Sequence, residues 1–201
     1  MRRLIVLAVA ASLALITGAS PAVAGQPTIT DIAVGDGTFD RNGRDTDILA
    51  AAVQAAGLAE TLASPDADVT VFAPTDWGFR RLARDLGGPW KASEAEVATW
   101  LVETVGVETL TKVLLYHVVD GSVYSSDVVP GLDRAHVPTL AGPTFQVFIQ
   151  YHEDGDLKAV FLRDQDPDDL NAKLKLSALD IEASNGVVHV VNRVMRPIDL
   201  P

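Results

Sequence analysis

Apolar positions along this chain change period once, near residue 118. Before that point they recur at helical spacing. Ile48, Leu49, Ala52, Val53 and Ala56 fall on one face of a helix that Asp45 or Thr46 can cap and that Gly57 stops. After the turn Ser64-Pro65-Asp66 comes a short β-rich run, Val69-Thr70-Val71-Phe72. Pro74 ends it, because proline has no N–H for the next ladder bond. Thr75 is placed to cap a second helix carrying Phe79, Leu82 and Leu86, with Gly87-Gly88 closing it. Ser93 and Glu96 have capping-box spacing and open a helix that turns Val97, Trp100 and Leu101 inward. Gly106 breaks that helix, and Leu110, Val113, Leu114 and Tyr116 form a further helical face.

Beyond residue 118 the period is two. Phe145, Val147, Ile149 and Tyr151 alternate with Gln146, Phe148 and Gln150. Asp154-Gly155 predicts a hairpin, with Leu157, Ala159 and Phe161 alternating on the return strand. The last strand, Val187 to Val191, is reached through the turn Ser184-Asn185-Gly186. Helices in the first half and strands in the second predict an α+β fold. Residues 25–44 read as a polar lead-in; Asp36, Asp40, Asn42 and Asp45 lack the alternation and closing Glu of a calcium loop.

The first 24 residues stand apart. Arg2 and Arg3 precede an apolar run from Leu4 to Ile16, and small residues follow, ending in Ala22-Val23-Ala24. That is the layout of a cleavable secretory signal peptide over residues 1–24, leaving 25–201 as a single domain that is secreted or held in the cell envelope. The chain carries a net charge of −11 and no cysteine. An acidic surface repels phosphate backbones, which excludes nucleic acid as a partner. Without thiols, neither disulfides nor cysteine catalysis is available.

Three stretches, in order, carry a resemblance. Thr70-Val71-Phe72-Ala73-Pro74-Thr75-Asp76 leads into the helix with Phe79; Leu114-Leu115-Tyr116-His117-Val118-Val119 follows; Asp180 to Val191, containing Asn185-Gly186 and His189, comes last. Together they resemble the two signature motifs and the Tyr-His motif of the fasciclin domain family, over roughly residues 27–198. The resemblance implies a wedge of two β-sheets flanked by several α-helices. It gives Thr70, Phe72, Pro74, Thr75, Phe79, Asn185, Gly186 and His189 a scaffold role. It also implies an extracellular interaction module that contacts a cell-surface or matrix component, protein or polysaccharide, and that bridges surfaces through homo-oligomers or two patches. The second reading is a carrier of a small apolar ligand, since some members of that family hold a pigment. The chain departs from the family pattern at Trp77 and in a longer stretch over residues 87–108, which holds Trp90 and Trp100.

Candidate contact residues on this reading are Tyr116, His117, Trp77, Trp90 and Trp100. No nucleophile elbow, phosphate loop or zinc-protease helix is present, so no enzyme activity, cofactor or metal is expected. His117 and His189 sit in apolar settings that favour buried hydrogen bonds over catalysis. Asp164, Asp166, Asp168 and Asp169 read as a solvated acidic loop, because Asp169 and Lys175 stand where a calcium loop needs Gly and Glu.

Overall fold

The computed structural model describes residues 25–35, 38–127, 132–167, 170–198 and 200. The expected signal peptide lies outside them, as do Asp36, Asp168 and Asp169. Six helices run α1 (Ile29–Val34), α2 (Asp47–Ala55), α3 (Ala59–Ala63), α4 (Asp76–Asp85), α5 (Glu94–Val105) and α6 (Val107–Tyr116) among the described residues. One sheet is ordered β2 (Val118–Asp120), β1 (Val69–Pro74), β8 (Gly186–Val191), β7 (Ile181–Ala183). The other is ordered β3 (His136–Pro138), β4 (Thr144–Tyr151), β5 (Leu157–Arg163), β6 (Ala172–Lys173).

The central pair β1 and β8 is parallel, with Val69 opposite Gly186 and Pro74 opposite Val191. Every residue of β1 is buried, because helices cover one face of this sheet and the second sheet covers the other. Val69, Val71 and Ala73 join the helical core with Phe79, Val97, Leu101 and Leu114. Phe72 points the other way, into a second core with Tyr116, Phe145, Val160, Leu162 and Met195. Burial on both faces is what erases a polar alternation from such a strand. The return strand of the hairpin departs from the expected phase. A register shift at Gln150/Tyr151 puts Val160 and Leu162 inward and leaves Phe161 half-buried.

Helix starts follow local signals in part. Ser93 and Glu96 form the expected capping box, and Thr28 with Asp31 forms a second one that opens α1 within the supposed lead-in. Thr75 and Thr46 occupy cap positions but make no side-chain capping bond. Backbone carbonyls of the lead-in supply the acceptors at α4: Asp76 N–H donates to Asp45 O at 3.0 Å and Trp77 N–H to Gly43 O at 2.9 Å. At α2 the acceptor is a side chain from another helix, Asp76 Oδ1, which takes the Ile48 N–H at 2.9 Å.

Asn185 and Gly186 lock the turn before β8. Asn185 is buried; its Oδ1 accepts the Ile29 N–H at 2.8 Å, and its Nδ2 donates to the carbonyls of Leu62 (2.8 Å) and Ser64 (2.9 Å). Gly186 has φ +147, and a Cβ there would stand 2.0 Å from the Val69 carbonyl oxygen.

Candidate functional site

The five contact residues expected from sequence do not converge, although the scaffold residues Phe72 and His189 sit opposite each other across β1 and β8. Tyr116 and His117, expected among the contact residues, are both interior. The Tyr116 hydroxyl donates to the Thr144 carbonyl at 2.9 Å, tying α6 to the second sheet, and burial holds the phenol protonated well above its usual range. His117 Nδ1–H donates to the Val113 carbonyl at 2.7 Å, and its Nε2 accepts the Met195 N–H at 2.8 Å. Both ring nitrogens are thereby used, and burial pushes the imidazole down to about 4. His189 takes the opposite tautomer: Nδ1 accepts from Asp180 N–H at 3.1 Å and Nε2–H donates to the Val123 carbonyl at 2.8 Å. Neither ring has a nitrogen left for a substrate or an ion.

The tryptophans separate as well. Trp100 lies flat on Gly88, where a Cβ would come 2.5 Å from its ring, and Trp90 is half-buried with Lys91 Nζ 4.9 Å above it. Both pack the 87–108 stretch onto the helical core and are half-buried there. Trp77 alone of the three is open, at 46% exposure, beside Phe39 at 45%. The indole rests on Gly43, where a Cβ would lie 2.8 Å from Trp77 Nε1, with the Arg80 guanidinium 6.0 Å from its ring centre.

Phe39 and Trp77 frame a surface groove of about 580 Å³, with Arg41, Arg80 and Lys91 among its walls. Arg80 organises one wall. It donates to the carbonyls of Trp90 (3.1 Å) and Ala92 (2.6 Å) and meets Glu94 at 3.4 Å. Glu94 is buried and also accepts the Asp40 N–H at 2.7 Å, drawing the lead-in across to α5. Sequence reading points to Trp77 but misses Phe39 and Arg41, which lie in a segment without periodicity, and Arg80 and Lys91, whose charge alone marks no site.

A second space lies between the sheets. It is an almost wholly apolar cavity of about 220 Å³ lined by Phe72, Phe145, Val147, Leu162, Leu174 and Leu179, with His189 at its wall. None of the three tryptophans reaches it. The acidic loop is not a solvated one where it is described: Asp166 is buried against Arg196 at 2.8 Å, and Asp164 accepts the Arg196 N–H at 2.7 Å. These two carboxylates clamp the chain after β8.

Comparison with known proteins fits this architecture. The fasciclin domain family model matches residues 44–197. Protein sll1483 of Synechocystis sp. is 34% identical over 172 residues, covering 85% of this chain and 73% of its own length. Transforming growth factor-beta-induced protein ig-h3 of Sus scrofa is 29% identical over 170 residues, covering 85% of this chain but 19% of its own length. Among solved structures, a FAS1 domain pair from the insect cell adhesion molecule Fasciclin I superposes with a TM-score of 0.54 at 14% identity, covering 84% of this chain and 50% of that one. The family match, the two-sheet wedge with its flanking helices and the order of the three motifs agree: this chain belongs to the fasciclin domain family.

Proposed function

We propose that this chain is an extracellular interaction module that contacts a cell-surface or matrix component through the Phe39–Trp77 groove. The observation that carries the reading is the pairing of two half-exposed aromatic rings with Arg41, Arg80 and Lys91 on a protein of net charge −11. Exposed Trp with Arg is the composition of binding hot spots. Arg41 and Lys91, the exposed cations of the wall, favour an acidic partner, whether a polysaccharide or a protein segment, and electrostatics there speeds encounter. The reading draws support from the solved relative, which is part of an insect cell adhesion molecule, and from the leader-like residues 1–24. Among the described residues, no helix is long and apolar enough to cross a membrane. One groove grips one surface, so adhesion between two surfaces carries self-association with it.

Trp77→Ala tests this directly. Binding of the purified protein to immobilised cell-envelope polysaccharide and to surface-protein extract is expected to weaken about tenfold or more, with a melting temperature within a few degrees of wild type. Undiminished retention of the variant on both supports rejects the groove.

The cavity between the sheets favours a second reading, carriage of a small apolar ligand. Its volume decides how far that reading goes. A dry cavity of about 150 Å³ admits benzene, and drug-sized ligands fill roughly 300 Å³ or more. At about 220 Å³ the space suits a one- or two-ring hydrocarbon or a short acyl tail and would leave a long pigment protruding. Val147→Phe, which fills the cavity, is expected to abolish uptake of naphthalene measured by fluorescence. Equal uptake by variant and wild type removes this reading.

A further inference from the structure

Carboxylates from three separate segments meet beneath the Trp77 groove. Asp45 comes from the lead-in, Asp47 is the first residue of α2, Asp76 the first of α4 and Glu94 the first of α5. One carboxylate oxygen from each of Asp45, Asp47 and Asp76 lies within 4.8 Å of the other two, and Asp45 lies equally close to oxygens of Asp40 and Glu94. Water does not dilute this charge, because Asp47, Asp76 and Glu94 are buried and Asp45 is half-buried.

Two oxygens in the group, one of Asp76 and one of Asp45, have no hydrogen-bond partner. Asp76 is fully buried and uses Oδ1 to accept the Ile48 N–H; its Oδ2 is enclosed and has no hydrogen-bond partner. Asp45 Oδ1 is enclosed and unbonded in the same way. Arg80, the guanidinium nearest Glu94, is turned toward Glu94 and the carbonyls of Trp90 and Ala92. An enclosed carboxylate oxygen facing other carboxylates needs either a proton or a cation between them.

We infer that Asp45, Asp47 and Asp76 hold a divalent cation of the calcium class, with Asp40 and Glu94 closing the side toward the groove. The donors are all carboxylate oxygens, which select hard cations over zinc or copper. Three protein carboxylates with two more beside them suit calcium, which takes about six to eight oxygen ligands, better than magnesium, which keeps several waters and is bound through one or two carboxylates. The ion would join the starts of α2 and α4 to the lead-in, whose Gly43 carries the Trp77 indole. The inference does not depend on what the groove binds.

The test is thermal unfolding and isothermal titration calorimetry of chelator-stripped protein with calcium chloride or magnesium chloride at constant ionic strength. Calcium at a few millimolar is expected to raise the melting temperature by about 5 °C, more than magnesium does, with one-to-one binding heat. Asp76→Asn keeps an acceptor for the Ile48 N–H, and Asp45→Asn alters a half-buried position. Each is expected to lose the calcium response. No calcium shift and no heat in wild type overturns the site in favour of a shared proton. A shift that persists in both variants overturns it in favour of general screening of an acidic surface. A magnesium response as large as that of calcium overturns the calcium assignment.

Discussion

Gly186→Ala is expected to lower the stability of this domain by about 4 kcal/mol, read as a fall in the urea midpoint with little change in slope. The added methyl would stand 2.0 Å from the Val69 carbonyl oxygen and 2.8 Å from the Ile29 side chain. The carbonyl belongs to the opposite strand of the central parallel pair, so relief means separating β1 from β8 at its first rung. Backbone strain at φ +147 adds to the clash. Gly155 supplies the control. It also has positive φ, at +93, but a Cβ there meets nothing within 4 Å. Gly155→Ala is expected to cost only about 1 kcal/mol, from strain alone. Equal losses at the two positions would show that the close approach of β1 and β8 carries no weight.

The second large effect is a pH dependence set by His117. Its folded pKa is about 4 against an ordinary 6.5. Between those values the unfolded chain binds a proton that the folded protein excludes, so stability falls as pH is lowered. The contribution is complete above pH 6.5, is lost progressively down to pH 4, and does not change further below that. The depression corresponds to on the order of 3 kcal/mol across the window. Asp76 tilts the other way, because a raised carboxyl pKa favours the folded state at low pH and that advantage fades as pH rises toward 8. Subtraction of the His117→Gln curve from the wild-type curve isolates the histidine. The variant is less stable at pH 7, since the Met195 N–H and the Val113 carbonyl lose their shared partner, and the gap is expected to narrow toward pH 4. A gap that stays constant from pH 7 to 4 would contradict a neutral, doubly bonded imidazole.

What the chain reveals in advance depends on whether the deciding contact is local. The runs at Val69–Phe72 and Val187–Val191 are legible because both faces are buried, and continuous apolar character is then required. The Ser93–Glu96 box is legible because both of its bonds close within four residues. Tyr116 and His117, expected as contact residues, lie in the interior for the opposite reason. Their partners are main-chain atoms at 113, 144 and 195, and a main-chain atom leaves no mark on composition. Thr75 has the right identity for a capping bond, but carbonyls 43 and 45 arrive first. The acidic cluster is hidden by a sufficient local explanation. Asp47, Asp76 and Glu94 each open a helix, where a carboxylate is favourable on its own account, so nothing in the sequence says that three helix starts converge.

The parallel pairing of β1 with β8 also governs when this polypeptide can fold. Residues 69–74 find their central neighbour only among residues 186–191, so the ladder cannot close while a growing chain stops short of them. The early helices share the core with Val188 and Val194, and Asn185 holds the first residue of α1, so they too wait for late residues. A nascent chain therefore cannot complete this sheet before residues 186–191 are made, and closing that long loop is expected to be its slow step.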